Sequence, residues 1–345
     1  MSSLVLNSVV MIGKIDSAIF HSIPSPEQSV WHLGPFPLRA YALLILLGIA
    51  VACFWGNKRY IAKGGDKDTV LDAAVWAVIF GILGARVYAV VTTPSDYIGP
   101  GKDPLQIFKI WEGGIGILGA VAGGAAAIYV YLHRKGLRFG PFIDAIAPGV
   151  LVAQAIGRWG NYFNQELYGT PTNLPWALEI SPEHLIPGYP VGTTFHPTFL
   201  YESLWNLFAA ALLIYLERRF RLGGGQVALV YLMLYSFGRG WIEIIRTDSS
   251  LVFLGVRLNT WAAIIVFIGA GVAFLWHRKY LQTHPELREI TFQNQEHNLA
   301  ANSDPEIISD VELEISETGK KSAIDSGVTS KGETEHGKSE NKGDE

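Results

Sequence analysis

The sequence predicts an all-α polytopic membrane protein of seven transmembrane helices, with the N-terminus outside and the C-terminus cytoplasmic. Three observations lead there. Of 345 residues, 49% are hydrophobic and only 17% charged, a balance that suits a chain whose solvent is partly lipid. Seven apolar runs approach the ~20 residues that a helix needs to cross a bilayer core. Lysine and arginine are dense in alternate connecting loops and sparse in the others, as the positive-inside rule requires.

In chain order, the first run is 40–57, "AYALLILLGIAVACFWGN", followed by Lys58, Arg59, Lys63 and Lys67. The second, 70–92, contains Gly81, Gly84, Ala85 and Arg86. The third, 113–132, leads to Arg134, Lys135 and Arg138, and the fourth, 141–157, is short and closed by Arg158. The fifth, 198–216, precedes Arg218, Arg219 and Arg221. The sixth, 226–245, carries charges of its own, and the seventh, 260–277, ends at Arg278 and Lys279. An odd number of crossings puts the two ends on opposite sides, in agreement with the loop charges.

Residues 1–38 lack the basic n-region and small-residue cleavage site of a signal peptide and are expected to form an external arm or a short interfacial helix. Residues 39–280 form the membrane domain. From Gln282 onward, 15 acidic residues face 6 basic ones, so residues 281–345 are expected to be a disordered acidic cytoplasmic tail. Cys53 is the only cysteine, which excludes an internal disulfide framework. The nine histidines show no tight ligand spacing, so no metal site is expected.

"WEGGIGILGAVAGG" at 111–124 contains a G-x-G-x-x-G pattern. A dinucleotide turn needs a strand before it, a helix after it and a βαβ surround. Here the pattern runs into a transmembrane segment. The glycines are instead expected to let another helix or a lipid approach the backbone closely.

Ionisable groups at membrane depth are functional candidates by default, because each costs about 2.5–3.5 kcal/mol to insert. Arg239, Glu243 and Arg246 lie at i, i+4 and i+7 in "GRGWIEIIR", on one helix face. Arg86, Arg158, Arg239 and Arg246 all fall toward the outer leaflet, against Glu243 and Glu166. That excess of guanidiniums suits an anion, and a phospholipid phosphate is the one at hand. "GRWGNYFNQELYG" crowds Arg158, Asn161, Asn164 and Glu166 at the end of the fourth run, with a helix cap or turn as the structural alternative for either asparagine. In "HPTFLYES", His196 precedes the fifth run and Tyr201–Glu202 follow one turn later.

These motifs resemble the prolipoprotein diacylglyceryl transferase family. The resemblance rests on "GRWGNYFNQELYG", "HPTFLYE" and the Tyr235, Arg239, Glu243, Arg246 spacing, and covers about residues 40–277. It implies a multi-pass protein of the bacterial cytoplasmic membrane, without a cofactor and without a nucleic-acid partner. The implied reaction transfers the diacylglyceryl group of phosphatidylglycerol, a membrane lipid, to the lipobox cysteine of a preprolipoprotein signal peptide. By the same resemblance Arg158 is the lipid-phosphate arginine and Arg239 the second essential one. Tyr235, Glu243, Arg246, Asn161, Glu166, Gly169 and His196 match other important positions, as does Tyr41, although Ala42 replaces the usual glycine. Asn164 and Arg86 complete the expected lipid-binding set.

One position departs. Many members place a histidine, assigned as the thiol's base, where this chain has Leu118. Either His196, Glu166 or Tyr235 takes the proton, or the arginine field lowers the thiol pKa enough without a base. The second alternative is favoured. An anion transporter and a non-catalytic lipid-binding scaffold are the competing classes; internal repeats, which would suit the former, are not apparent.

Overall fold

The computed structural model describes residues 22–97, 103–109, 113–114 and 116–291. Among them, seven helices are long and apolar enough to cross a membrane: α1 Ala40–Ala62, α2 Thr69–Thr92, α3 Ile117–Arg134, α4 Phe139–Phe163, α5 Thr198–Phe220, α6 Gln226–Ile245 and α7 Leu258–Thr283. The seven expected runs are all present. Most helices extend past the apolar stretch that announced them, because the flanking charged residues continue the turn into the headgroup zone.

The fourth run differs most. It is short as an apolar stretch, yet α4 is 25 residues long and the most buried of the seven. Asp144 and Pro148 interrupt its apolar pattern, and each is compensated by a neighbour. The Asp144 carboxylate accepts hydrogen bonds from the backbone N–H of Gly225 (2.8 Å) and Ala228 (2.9 Å), capping the start of α6. Pro148 has no N–H to give the carbonyl of Asp144. Arg59 from α1 donates to that carbonyl (3.4 Å) and to the carbonyl of Ala145 (2.9 Å). In lipid no water would repair the loss, so both features survive because other helices satisfy them.

Helix α4 is the hub, packing on α1, α5 and α6, while α2 and α3 pack chiefly on each other and α6 on α7. Small residues set these distances. Gly48, Gly56 and Gly149 bring the α1 and α4 backbones together against Ala153, Ile146 and Ala52. Between α2 and α3 the approach is closer. A Cβ on Gly84 would enter the Gly119 carbonyl, and one on Gly119 would enter that of Gly84. That is the close-packing role expected for the glycine-rich stretch. Helix α3 begins at Ile117, later than expected, because Gly113 (φ +93°) and Gly114 (φ +68°) are left-handed loop residues. Trp111, Glu112 and Ile115 of that stretch lie outside the described residues.

Outside the bundle, β1 (Val30–Leu33) and β2 (Phe36–Arg39) form an antiparallel hairpin leading into α1. Within the expected N-terminal arm, Val30–Leu33 and most of Phe36–Arg39 supply this hairpin; residues 1–21 lie outside the described ones. Between α4 and α5, β3 (Leu178–Glu179) pairs with β4 (Thr194–Phe195). Tyr168, Leu178, Ile180, Phe195 and Phe199 give this lobe its own apolar core. A third short hairpin, β5 (Val252–Phe253) and β6 (Val256–Arg257), precedes α7.

At the other end of the bundle the packed body runs past the expected boundary near 281. The Ile290 side chain is buried with Tyr60, Leu132 and Phe142, and its carbonyl accepts from the Arg138 N–H (2.7 Å). The remainder of the acidic tail, 292–345, lies outside the described residues.

Candidate active site

The site begins at the end of α4. Arg158 and Asn161 sit on its last turns, and Asn164 is the C-cap residue. The chain then turns sharply through two left-handed non-glycine residues, Gln165 (φ +50°) and Leu167 (φ +61°). Such backbone is costly and persists only where its surroundings impose it. Here the Gln165 side chain accepts from the N–H (2.8 Å) and hydroxyl (2.9 Å) of Ser181, while the Leu167 carbonyl accepts from the Thr198 hydroxyl. The turn aims Glu166 back at the helix. Its Oε1 accepts from Asn161 Nδ2 (2.9 Å) and Asn164 Nδ2 (3.1 Å), and Asn161 Oδ1 accepts from Arg158 Nη1 (3.4 Å).

Across from this group, Tyr41 opens α1. Its ring lies where a Cβ on Gly160 would be, so only glycine there seats it undisturbed. Tyr41, Arg158, Asn161 and Glu166 line a cavity of about 410 Å³ between α1 and α4, whose apolar wall includes Ile45, Ile49, Val150 and Leu167. One side is thus charged and the other greasy, the complementary surface for an amphiphile with a phosphate and acyl chains.

Behind Arg158 runs a chain of ion pairs. Arg158 Nε lies 2.5 Å from Glu202 Oε2 of α5. Glu202 Oε1 lies 3.4 Å from Arg239 Nη1, and Arg239 Nη2 is 2.7 Å from Glu243 Oε2. Glu243 is fully buried and also meets Arg246 Nη1 (3.5 Å), Arg257 Nε (2.8 Å) and Asn259 Nδ2 (3.0 Å). Arg246 and Arg257 in turn hold Asp248 (2.7 and 3.2 Å). A buried carboxylate is tolerated only with such partners. Burial pushes the Asp248 carboxyl up, but the Arg246 hydrogen bond and the charges of Arg246 and Arg257 outweigh it, leaving it below the usual carboxylate range.

The network confirms the shared face of Arg239, Glu243 and Arg246 and corrects the charge balance read from sequence. Glu202 and Asp248 interleave with the arginines, so Arg158, Arg239, Arg246 and Arg257 are matched by Glu166, Glu202, Glu243 and Asp248, and the expected guanidinium excess is absent from the network. Glu202, Arg257, Asn259 and Asp248 are additional members. The signal for Glu202 was present, an acid one turn inside an apolar run, but its partners sit 44 residues upstream and 37 downstream in sequence.

Four further expected residues, Arg86, His196, Gly169 and Tyr235, stand apart from the cavity. Arg86 is buried on α2, and its guanidinium donates to the backbone carbonyls of Gln106, Ile107 (2.7 Å), Lys109 (3.2 Å), Gly113 (2.5 Å) and Gly114 (3.0 Å). Those acceptors occupy its fork, so Arg86 organises the α2–α3 loop instead of presenting free donors to a phosphate. His196 Nδ1 meets the Tyr201 hydroxyl (3.0 Å), which also accepts from Trp176 Nε1 (3.0 Å). Gly169 donates its N–H to the His196 carbonyl (2.9 Å) and bridges to Arg246. A Cβ there would meet His196 and the Ile245 carbonyl, so glycine permits the loop to close on the base of α6. Tyr235 lies on the far side of Glu202, in a narrow cleft with Arg239 and Trp205, its ring stacked on Tyr231. Leu118 is largely exposed on the first turn of α3.

Comparison with known proteins shows the family. A family model described as prolipoprotein diacylglyceryl transferase matches residues 28–276. Among relatives named phosphatidylglycerol–prolipoprotein diacylglyceryl transferase, one from Streptomyces griseus is 51% identical over 269 residues, 77% of this chain and 81% of the relative. One from Rhodococcus jostii is 48% identical over 279 residues, 77% of each chain. One from Corynebacterium efficiens is 49% identical over 271 residues, 76% of this chain and 84% of the relative. The chain belongs to the prolipoprotein diacylglyceryl transferase family.

Proposed function

We propose that this multi-pass membrane protein transfers the diacylglyceryl group of phosphatidylglycerol to the cysteine thiol of a lipobox-containing preprolipoprotein in the bacterial cytoplasmic membrane, its N-terminus outside and its C-terminus inside. The observation that carries the site assignment is the gathering of Tyr41, Arg158, Asn161 and Glu166 around one half-apolar cavity, with Arg239 linked to Arg158 through Glu202.

In this reading the lipid phosphate lies at Arg158 and the acyl chains follow Ile45 and Ile49. The cysteine sulfur attacks the glycerol carbon that bears the phosphate ester. A C–S bond forms, the C–O bond breaks, and the electron pair leaves with glycerol phosphate. Guanidiniums held before the reaction starts stabilise the charge that gathers on the departing phosphate, with no reorganisation during the step. Arg158, the guanidinium that lines the cavity, favours the thiolate over the thiol at short range. Of His196, Glu166 and Tyr235, Glu166 alone lines the cavity with Arg158, which supports its carboxylate as the proton acceptor. Glu243, Arg246, Arg257 and Gly169 position Arg239 and the end of α6, while Asn164 with Asn161 orients Glu166.

Purified protein incubated with phosphatidylglycerol and a lipobox peptide is expected to yield thioether-linked diacylglyceryl peptide and one glycerol phosphate per turnover. Folded protein that binds the lipid and yields neither product would leave only the scaffold reading.

A further inference from the structure

At the opposite end of α4 from Arg158, a second charged cleft lies between α1 and α5. Both helices flank α4, and between them lies a cavity of about 310 Å³ lined by Trp55, Lys58, Arg59, Lys63 and Arg218 with the apolar Ala62 and Ile214. From Ala145, which Arg59 touches, to Arg158 the helical rise is roughly 20 Å, so this cleft shares no residue with the candidate active site.

Its charges are unequal. Glu217 is the acid at its edge, and it is engaged by Arg59 (2.6 Å) and Lys63 (2.8 Å). Those ion pairs tie α1 to α5 and orient the two cations beside the cleft. Lys58 and Arg218 are exposed, and neither has a carboxylate within ion-pair distance among the described residues. Four cations thus face Glu217 and the buried Asp144, whose charge Lys63 also feels. Trp55 supplies an amphipathic ring of the kind that sits at headgroup level, Ile214 lies one turn inside Arg218 toward the apolar part of α5, and Ala62 lines the cleft at the end of α1. Positive charge alone is expected at a bundle end. A walled cleft with an aromatic ring, an apolar continuation and two unpaired cations is more specific.

We infer that this cleft binds the phosphate of an anionic phospholipid in the leaflet opposite the active site, with an acyl chain lying along α1 and α5. The ligand stabilises the α1–α4–α5 arrangement and is not consumed.

The test uses the full chain in detergent, titrated with phosphatidylglycerol, phosphatidylcholine or inorganic phosphate and read by native mass spectrometry. The double substitution Lys58→Gln, Arg218→Gln is expected to weaken one class of bound phosphatidylglycerol roughly 30-fold, from two basic residues near a phosphate. Arg158→Gln should keep that class, and so should Lys58→Arg with Arg218→Lys. Unchanged lipid occupancy in the glutamine variant would overturn the inference. So would equal occupancy by phosphatidylcholine, which marks ordinary surrounding lipid, or displacement by millimolar inorganic phosphate, which marks a free-anion site. Should the glutamine variant fail to fold, the wild type decides by quenching of Trp55 fluorescence, taken as the difference from Trp55→Phe. Bromine-labelled phosphatidylglycerol quenches and labelled phosphatidylcholine does not if the cleft is as inferred; equal quenching refutes it.

Discussion

Arg239→Lys isolates what the shape of the guanidinium contributes. Arg239 spans two carboxylates from two helices, Glu202 Oε1 at 3.4 Å and Glu243 Oε2 at 2.7 Å, using separate nitrogens of one planar fork. A lysine ammonium keeps the charge but is a single point on a flexible stem. It can settle on Glu243 or on Glu202, not both. If it follows the shorter contact, Glu202 retains only Arg158 as an ion-pair partner, and Arg158 is then held by a less firmly anchored Glu202 and by its 3.4 Å hydrogen bond to Asn161 Oδ1. A hydrogen bond to a charged group is worth about 1.5–3 kcal/mol, and leaving a buried charge short of a partner adds to that. A total near 3 kcal/mol corresponds to roughly a 100-fold fall in kcat/KM, at about 1.4 kcal/mol per tenfold. The assay is initial-rate transfer from phosphatidylglycerol to a lipobox peptide, at several lipid concentrations, with thermal unfolding measured in parallel. Since the fork holds a partner of the phosphate arginine, kcat should fall with kcat/KM. Turnover within threefold of wild type, in a protein of unchanged stability, would refute the claim that bidentate bridging positions Arg158.

Glu202→Gln keeps the shape and removes the shared charge; transfer should fall by at least 10-fold, with the loss not reproduced by Glu217→Gln at the other end of α5. Gly160→Ala places a Cβ in contact with the Tyr41 ring; the ring must move toward the cavity, raising the apparent KM for lipid roughly 5-fold at a packing cost of about 1 kcal/mol. Asp248 has a depressed pKa, so the stability it contributes is present above the ordinary carboxylate value and is lost as pH falls through its lower, folded-state value. Thermal stability of wild type should therefore drop more between pH 5 and pH 3 (roughly the range spanning a normal carboxylate) than that of Asp248→Asn, and parallel curves would contradict the pairing. His196→Gln should leave measurable transfer, because Tyr201 occupies Nδ1 and the ring does not line the cavity; complete loss with intact lipid binding would instead make His196 the base.

Helix number and order were legible because each transmembrane segment announces itself locally, through some 20 apolar residues and the charges beside it. What escaped was whatever depends on a partner distant in sequence. Helix α4 looked short because Asp144 and Pro148 are poor residues for a lone membrane helix, and they become acceptable only once α6 and Arg59 are in place. The site was legible where its residues cluster in sequence, as Arg158, Asn161, Asn164 and Glu166 do. Arg86 sits apart from the cavity for a physical reason: an intramembrane arginine advertises the need for anions or carbonyls, and the sequence does not say which loop will bring the carbonyls. Glu202 was visible as a residue of "HPTFLYES", yet its position between two arginines required three helices to be assembled.

Locating the phosphorus of bound phosphatidylglycerol tests the central claim most directly. A structure of the full chain with that lipid should place phosphorus within about 5 Å of the Arg158 guanidinium carbon, as bidentate pairing requires, with acyl chains along Ile45 and Ile49. Phosphorus elsewhere, with only hydrocarbon beside Arg158, would contradict it.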